Sequence, residues 1–295
     1  MQRKVVIFGR GGQLGVELCR EFERRQWSVQ AFDRQSLDIT DDSLVEQAIS
    51  EADPQVVVNA AAYNHVDIAE REPEAAYRTN ALAVRNLAMA CRQADVQFVH
   101  YSTDYVFDGA KGAPYVETDM PHPLGAYAVS KLAGELYAEA YLSSPLVIRT
   151  AGVFGPAGMF TPRGNFLELM LRLAKTTNPI RVVEDHVASP TYAPAIASRT
   201  VDLVEKNIRG LFHMGGGQPI SWYDYAKMIF ELASVSPMLH PTDEREYRTA
   251  ARRPKCTPLS NAKLEAAGIA PMPPLREAVR DYLAAREHAT AHRSS

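Results

Sequence analysis

The chain of 295 residues is 46% hydrophobic and carries a formal net charge of −3, enough apolar material for one large domain or two modest ones. That charge argues against a general nucleic-acid binder, which would be basic. Three cysteines, Cys19, Cys91 and Cys256, are odd in number, far apart and lack metal-ligand spacing, which fits a reducing compartment and argues against a disulfide framework.

The chain enters an apolar run almost at once, without the longer hydrophobic stretch and small-residue cleavage site of a signal peptide. No segment approaches the roughly 20 apolar residues of a membrane span. A soluble cytoplasmic protein is the expectation. Strands are predicted at 4–9 (KVVIFG), 28–33 (SVQAFD), 54–60 (PQVVVNA), 96–102 (VQFVHYS) and 145–151 (PLVIRTA), with helices over 13–25 and 75–94 among them. Near-continuous apolar strands separated by amphipathic helices imply an α/β fold, a doubly wound parallel sheet with right-handed crossovers.

After about residue 155 the composition changes, with Gly and Pro clustered at 155–164 and 215–219 and Pro frequent again from 237 to 274. Further strands are predicted at 180–185 and 210–216, and helices at 164–175, 191–206, 221–234 and 274–287. The organisation expected is a nucleotide-binding domain over 1–155, to which part of the later chain returns. A smaller lobe over 156–287 is expected to bind substrate, and 288–295 to form a solvated tail. No internal repeat is evident.

The first strand runs into GRGGQLG, with Gly9, Gly12 and Gly15 at three-residue spacing. Gly9 permits the tight turn, Gly12 lets a pyrophosphate approach the backbone, and Gly15 lets the next helix pack on the sheet. That helix begins with Gln13 and Leu14 and aims its N-terminus at the anion. A glycine trio alone also marks ordinary turns; following a strand and opening a helix, it reads as a dinucleotide site. Asp33 ends the second strand, where its carboxylate can accept from the adenosine ribose hydroxyls and favour NADH. Arg34 and Arg10 are placed to neutralise a 2′-phosphate and admit NADPH, or are ordinary surface charges, so NADH and NADPH both stay open. In LDITD (37–41), Asp38 and Ile39 can edge the adenine ring, while Thr40 or Asp41 can cap the next helix.

By its motifs the chain resembles the dTDP-4-dehydrorhamnose reductases among the extended short-chain dehydrogenase/reductases. The matching segments are GRGGQLG, LDITD, NAAAYNHVDIAE (59–70), STDYVFDG (102–109), YAVSKLAGE (127–135), RTAGVFG (149–155), GNFLELMLRLA (164–174), SPTY (189–192) and RRPKCTPLSNAKLEAAGI (252–269). They span nearly the whole chain in family order. The resemblance implies reduction by NAD(P)H of a 4-keto-6-deoxyhexose carried on dTDP, giving dTDP-L-rhamnose, a polysaccharide precursor.

Hydride reduction of a ketone needs a proton at the developing alkoxide. Tyr127 can supply it, although a free phenol, with a pKa of about 10, exchanges protons slowly at neutral pH. Lys131, one helical turn on, can stabilise the phenolate; in similar enzymes it also holds the nicotinamide ribose. Ser102 and Thr103 are candidates to orient the carbonyl oxygen, and the resemblance assigns that role to Thr103. Asp104 and Tyr105 lie at the carboxyl edge of the strand, expected against the sugar. Ala60, Ala61 and Ala62 are small enough for a dinucleotide to lie against the backbone. Val66 is expected to touch the sugar, Asp67 to cap a helix, and Asn165 and Arg253 to contact the nucleotide diphosphate. The loop residue His65 is given no catalytic role.

One residue departs from the family: Gly152 stands where a Trp often packs against the sugar, which leaves substrate identity open. The competing functions are a nucleotide-sugar epimerase or dehydratase, and a non-catalytic dinucleotide-binding regulatory subunit like that of methionine adenosyltransferase. No His/Cys cluster implies a metal. Some family members are associated with Mg²⁺ at an oligomer interface, but no ligand set for it can be named here. Monomer and homodimer are both compatible with the sequence.

Overall fold

A computed structural model describes residues 2–161 and 164–291 of the chain. Its strands are β1 (Lys4–Phe8), β2 (Ser28–Phe32), β3 (Val56–Asn59), β4 (Gln97–Thr103), β5 (Leu146–Thr150), β6 (Ile180–Val183), β7 (Val187–Ala188), β8 (Gly210–Met214), β9 (Ile220–Ser221) and β10 (Leu239–Thr242). The helices of the first half are α1 (Gln13–Arg24), α2 (Asp42–Ala52), α3 (Val66–Ala69), α4 (Pro73–Tyr77), α5 (Ala83–Ala94) and α6 (Ala126–Tyr141). Those of the second half are α7 (Phe166–Leu173), α8 (Ala193–Glu205), α9 (Trp222–Leu232), α10 (Ala262–Ala266) and α11 (Leu275–Ala291).

Six strands form one parallel sheet in the order β2-β1-β3-β4-β5-β8. Alternation along each strand divides its apolar residues between two faces. Val5, Ile7, Val56, Val58, Val99, Tyr101, Leu146 and Ile148 pack with α1 and α8, while Val6, Phe8, Val57, Phe98 and Val147 pack with α2 and α5. Covering both faces explains why these strands read as continuous apolar runs. The chain leaves β1 for β2 on one side and returns to β3 on the other. The carboxyl ends of β1 and β3 therefore flank a crevice, the place where such sheets bind ligands.

A second core gathers Phe154, Leu167, Met170, Ile180, Tyr225, Ile229, Val279 and Tyr282. The small parallel pair β6–β10 and the antiparallel pair β7–β9 belong to this lobe. Strands β7, β9 and β10 were not expected; at two to four residues they carry no periodic signal. The boundary at 155 is crossed heavily, because α8 and β8 complete the first domain's sheet and core.

The helix predicted over 75–94 is interrupted by a π-helical turn, Arg78–Leu82. The expected tail from 288 is helical as far as Ala291, where α11 ends. Residues 292–295 of that tail lie outside the described residues. Among the described residues no helix is long and apolar enough to cross a membrane.

Candidate active site

The glycine loop is a cradle that side chains would fill. Gly9 adopts φ +93°, and a Cβ there would lie 2.5 Å from the Ala61 nitrogen. A Cβ on Gly15 would fall 2.1 Å from the Gly9 carbonyl oxygen, so α1 is pressed against the strand exit. A Cβ on Gly12 would meet only Gly9 O at 3.4 Å, leaving its outer side open. Gly12 is the N-cap of α1 with no side-chain cap, and the first turn holds no acidic residue. The leading N–H groups thus point outward, as pyrophosphate binding requires. Gln13 and Leu14 offer only these N–H groups: Gln13's side chain bonds Gly155 N and Asn165, and Leu14 packs into the core.

Asp33 follows β2, and its Oδ1 accepts from the N–H groups of Gln35 and Ser36 and from the Ser36 hydroxyl. These bonds, the Ser36 N–H first, lower its pKa and keep it ionised. Arg34 is exposed and pairs loosely with Asp38 at 3.6 Å. Asp38 holds Thr40 through both its N–H and its hydroxyl, while Asp41, not Thr40, caps α2 by accepting from Leu44 N at 3.1 Å. Ile39 is buried in the core, so only its backbone can border an adenine. On the far side of the crevice lie Ala60, Ala61 and Ala62, all partly exposed.

Helix α6 carries Tyr127 and Lys131 one turn apart over the end of β4. Lys131 is buried and donates to the Tyr101 carbonyl at 2.6 Å. Burial pushes its pKa down to about 8, against the opposing charge of Glu135. Tyr127's hydroxyl lies 3.4 Å from Asn64 Oδ1, and its ring meets Tyr105 edge-on at 6.1 Å. Thr103 ends β4, accepting from Tyr105 N and donating to Asp104 Oδ1, each at 3.2 Å.

Three expected ligand contacts are engaged within the protein instead. Asp104 is buried and accepts from Thr257 at 2.5 Å; burial raises its pKa to about 6. Its side chain therefore joins the carboxyl end of β4 to the C-terminal segment rather than lying open to a sugar. Asn165 caps α7 by accepting from Glu168 N at 2.9 Å and donates to Gln13 Oε1 at 2.9 Å, which uses its polar atoms to dock the lobe on the phosphate loop. Arg253 makes a two-point ion pair with Asp67, at 2.7 and 3.1 Å. Asp67 also accepts from Ala251 N, so it binds the C-terminal segment and does not cap α3, whose N-cap is His65.

A narrow cleft is walled by Val66, Tyr105 and Tyr127 together with Leu124 and Arg252. Beside it a wider space of about 220 Å³ is bordered by Asp108, Leu124, Glu244, Arg252, Arg253 and Lys255. Gly152 adopts φ +50°, and a Cβ there would lie 3.2 Å from the Trp222 ring, so this chain's own Trp222 crowds the position.

Sequence reasoning missed the buried amides that hold these pieces in register. Asn59 accepts from Ala61 N at 3.1 Å and contacts His100 Nδ1 at 3.2 Å. Asn80, in the π-helical turn, binds the N–H and carbonyl of Tyr63 and the Ser130 hydroxyl. Ser130 in turn donates to the Tyr127 carbonyl at 2.7 Å. The signal was available: an asparagine closing an apolar strand, and another inside an apolar helix, each needing a partner. No cluster of three or more His, Cys, Asp or Glu suited to a metal occurs among the described residues.

A parallel sheet with a glycine cradle at its switch point and a Tyr-x-x-x-Lys helix beside it defines a dinucleotide-dependent oxidoreductase of the extended short-chain dehydrogenase/reductase type. The RmlD substrate binding domain family matches residues 3–288. Over 286 residues the chain is 36% identical to the spore coat polysaccharide biosynthesis protein SpsK of Bacillus subtilis, covering 97% of this chain and 99% of that one. It is 38% identical to the dTDP-4-dehydrorhamnose reductase of Aggregatibacter actinomycetemcomitans, covering 91% and 94%. The crystal structure of dTDP-4-dehydrorhamnose reductase from Bacillus anthracis in complex with NADP superposes with a TM-score of 0.91 at 33% identity, covering 96% and 99%. The chain belongs to the dTDP-4-dehydrorhamnose reductase family and is an NAD(P)-dependent oxidoreductase.

Proposed function

We propose that the protein reduces the 4-keto group of a nucleotide-linked 6-deoxyhexose, with dTDP-4-dehydro-L-rhamnose as substrate and dTDP-L-rhamnose as product. The observation that carries this reading is Tyr127 in the wall of the small cleft, one turn from the buried Lys131. The glycine cradle fits a nicotinamide dinucleotide, with Gly9, Gly12 and the N–H groups of Gln13 and Leu14 at its pyrophosphate. Asp33 takes the adenosine ribose of NADH, or Arg10 and Arg34 beside it meet the 2′-phosphate of NADPH. Bound there, the reduced nicotinamide supplies the hydride.

The chain's own groups handle the proton and the alignment. Tyr127's hydroxyl gives its proton to the oxygen that becomes the alcohol, and the Lys131 ammonium stabilises the phenolate left behind. Its pKa of about 8 keeps Lys131 mostly charged at neutral pH. Thr103's bond to Asp104 is long, and rotating that hydroxyl delivers it to the substrate carbonyl. Val66 and Tyr105 wall the sugar.

The test is NADPH oxidation with dTDP-4-dehydro-L-rhamnose by wild-type protein and Tyr127→Phe. Loss of the acid should cut turnover by about a thousandfold, with NADP affinity unchanged within about twofold because the ring stays in place. Undiminished turnover would remove Tyr127 from the mechanism, and conversion of the sugar nucleotide without net consumption of NADPH would identify an epimerase.

A further inference from the structure

The two clefts meet at Leu124 and Arg252, the two residues that line both. Tyr127 borders the smaller cleft, and the larger opens away from it. A nucleotide sugar is elongated, with its diphosphate between the sugar and the nucleoside. With the sugar at Tyr127, the diphosphate falls where the two spaces join.

Of the three cations at that junction, two are already neutralised. Arg253 is held at two points by Asp67. Lys255 pairs with Glu244 at 2.7 Å and with Asp185 at 3.3 Å. Arg252 is exposed and has no ion pair among the described residues, and the nearby carboxylates have other duties. Asp108 binds Ala110 N, Tyr115 and His122, and Glu70 holds the N-terminus of α6 through Ala126 N. The backbone of Arg252 runs beside the loop leading to Tyr127, and Asp67 anchors it on both sides through Ala251 N and Arg253. A guanidinium with five N–H donors, anchored at its backbone and unpaired at its head, suits two-point recognition of a phosphate.

We infer that Arg252, rather than Arg253, is the side chain that takes the substrate's diphosphate, and that Arg253 is a positioning residue that fixes the segment carrying it. This rests on the nucleotide-sugar reading above and goes on to divide the site into sugar, diphosphate and nucleoside portions. Arg252 then sets affinity for the nucleotide diphosphate and takes no part in proton transfer.

The experiment titrates dTDP calorimetrically into NADP-loaded wild-type protein, Arg252→Gln and Arg252→Lys, with thymidine binding followed by ligand-observed NMR. Arg252→Gln should weaken dTDP by about tenfold or more, leave thymidine and NADP affinity unchanged, and raise KM for the sugar nucleotide while kcat holds. Arg252→Lys should fall between, since it keeps the charge and loses the fork. If wild-type protein turns over the sugar nucleotide and Arg252→Gln binds dTDP as tightly as wild type, the assignment fails and the reductase reading stands. Wild-type protein that neither binds dTDP nor reduces nucleotide-linked 4-keto sugars would overturn both.

Discussion

The glycine loop at Gly9–Gly15 and the segment at Ala251–Thr257 both belong to the proposed site, and they are built in opposite ways. The first is made of backbone: glycines allow close approach, and the leading N–H groups of α1 have no side-chain cap. The second is made of side chains whose partners lie far off in sequence, Asp67 for Arg253 and Asp104 for Thr257. A backbone site needs only a local pattern and tolerates almost no added atoms. A side-chain site is set by which charges other elements have already consumed, and it can be retuned by one substitution.

The sharpest way to break this contrast is Gly15→Ala. Its methyl group would sit 2.1 Å from Gly9 O, a clash with backbone that no rotamer relieves. The expected result is a loss of about 3 kcal/mol, or roughly a hundredfold in NADP affinity by fluorescence titration. Retained affinity would mean that the cradle yields.

Asp104→Asn probes the side-chain region through pH. Burial raises the Asp104 carboxyl from 3.8 to about 6, so the folded protein keeps this proton to higher pH than the unfolded chain does. Its contribution to stability is therefore present at low pH and lost as pH rises from about 4 through 6. In urea unfolding, wild type should lose up to roughly 3 kcal/mol relative to Asp104→Asn across that window. A pH-independent difference would show that the charge is not what matters.

The smallest effect is expected for Asp67→Asn. Asp67 and Arg253 are 44% and 26% exposed, so water screens the pair and the stability loss should be about 1 kcal/mol or less. Because Asp67 holds Ala251 N and Arg253 on either side of Arg252, loosening that segment should weaken dTDP by about threefold. Tighter binding of dTDP to this variant would show that Arg253, once freed, takes the diphosphate itself.

The same contrast accounts for what could be read from the residues alone. Strands β1, β3, β4 and β5 were legible as buried runs, β2 and β8 as shorter, partly buried ones, and the cradle because its glycines serve a local turn. Tyr127 and Lys131 were legible because one helical turn relates them. The partners of Asp67, Asp104, Asn165 and Arg253 were not, since each lies more than a hundred residues away. Chemistry alone made Arg253 and Asn165 attractive ligands. Only the fold shows that Asp67 and Gln13 already engage them.

Strand β8 has a further consequence, for how the chain is made. It completes the sheet beside β5 but follows it by some sixty residues, after β6, β7 and α8. Until Met214 has left the ribosome, the flank of β5 is an unpaired edge and the sheet face that α8 covers is open. Such an edge invites pairing with other chains. Synthesis that pauses between residues 155 and 210 would hold the nascent protein in its most aggregation-prone form.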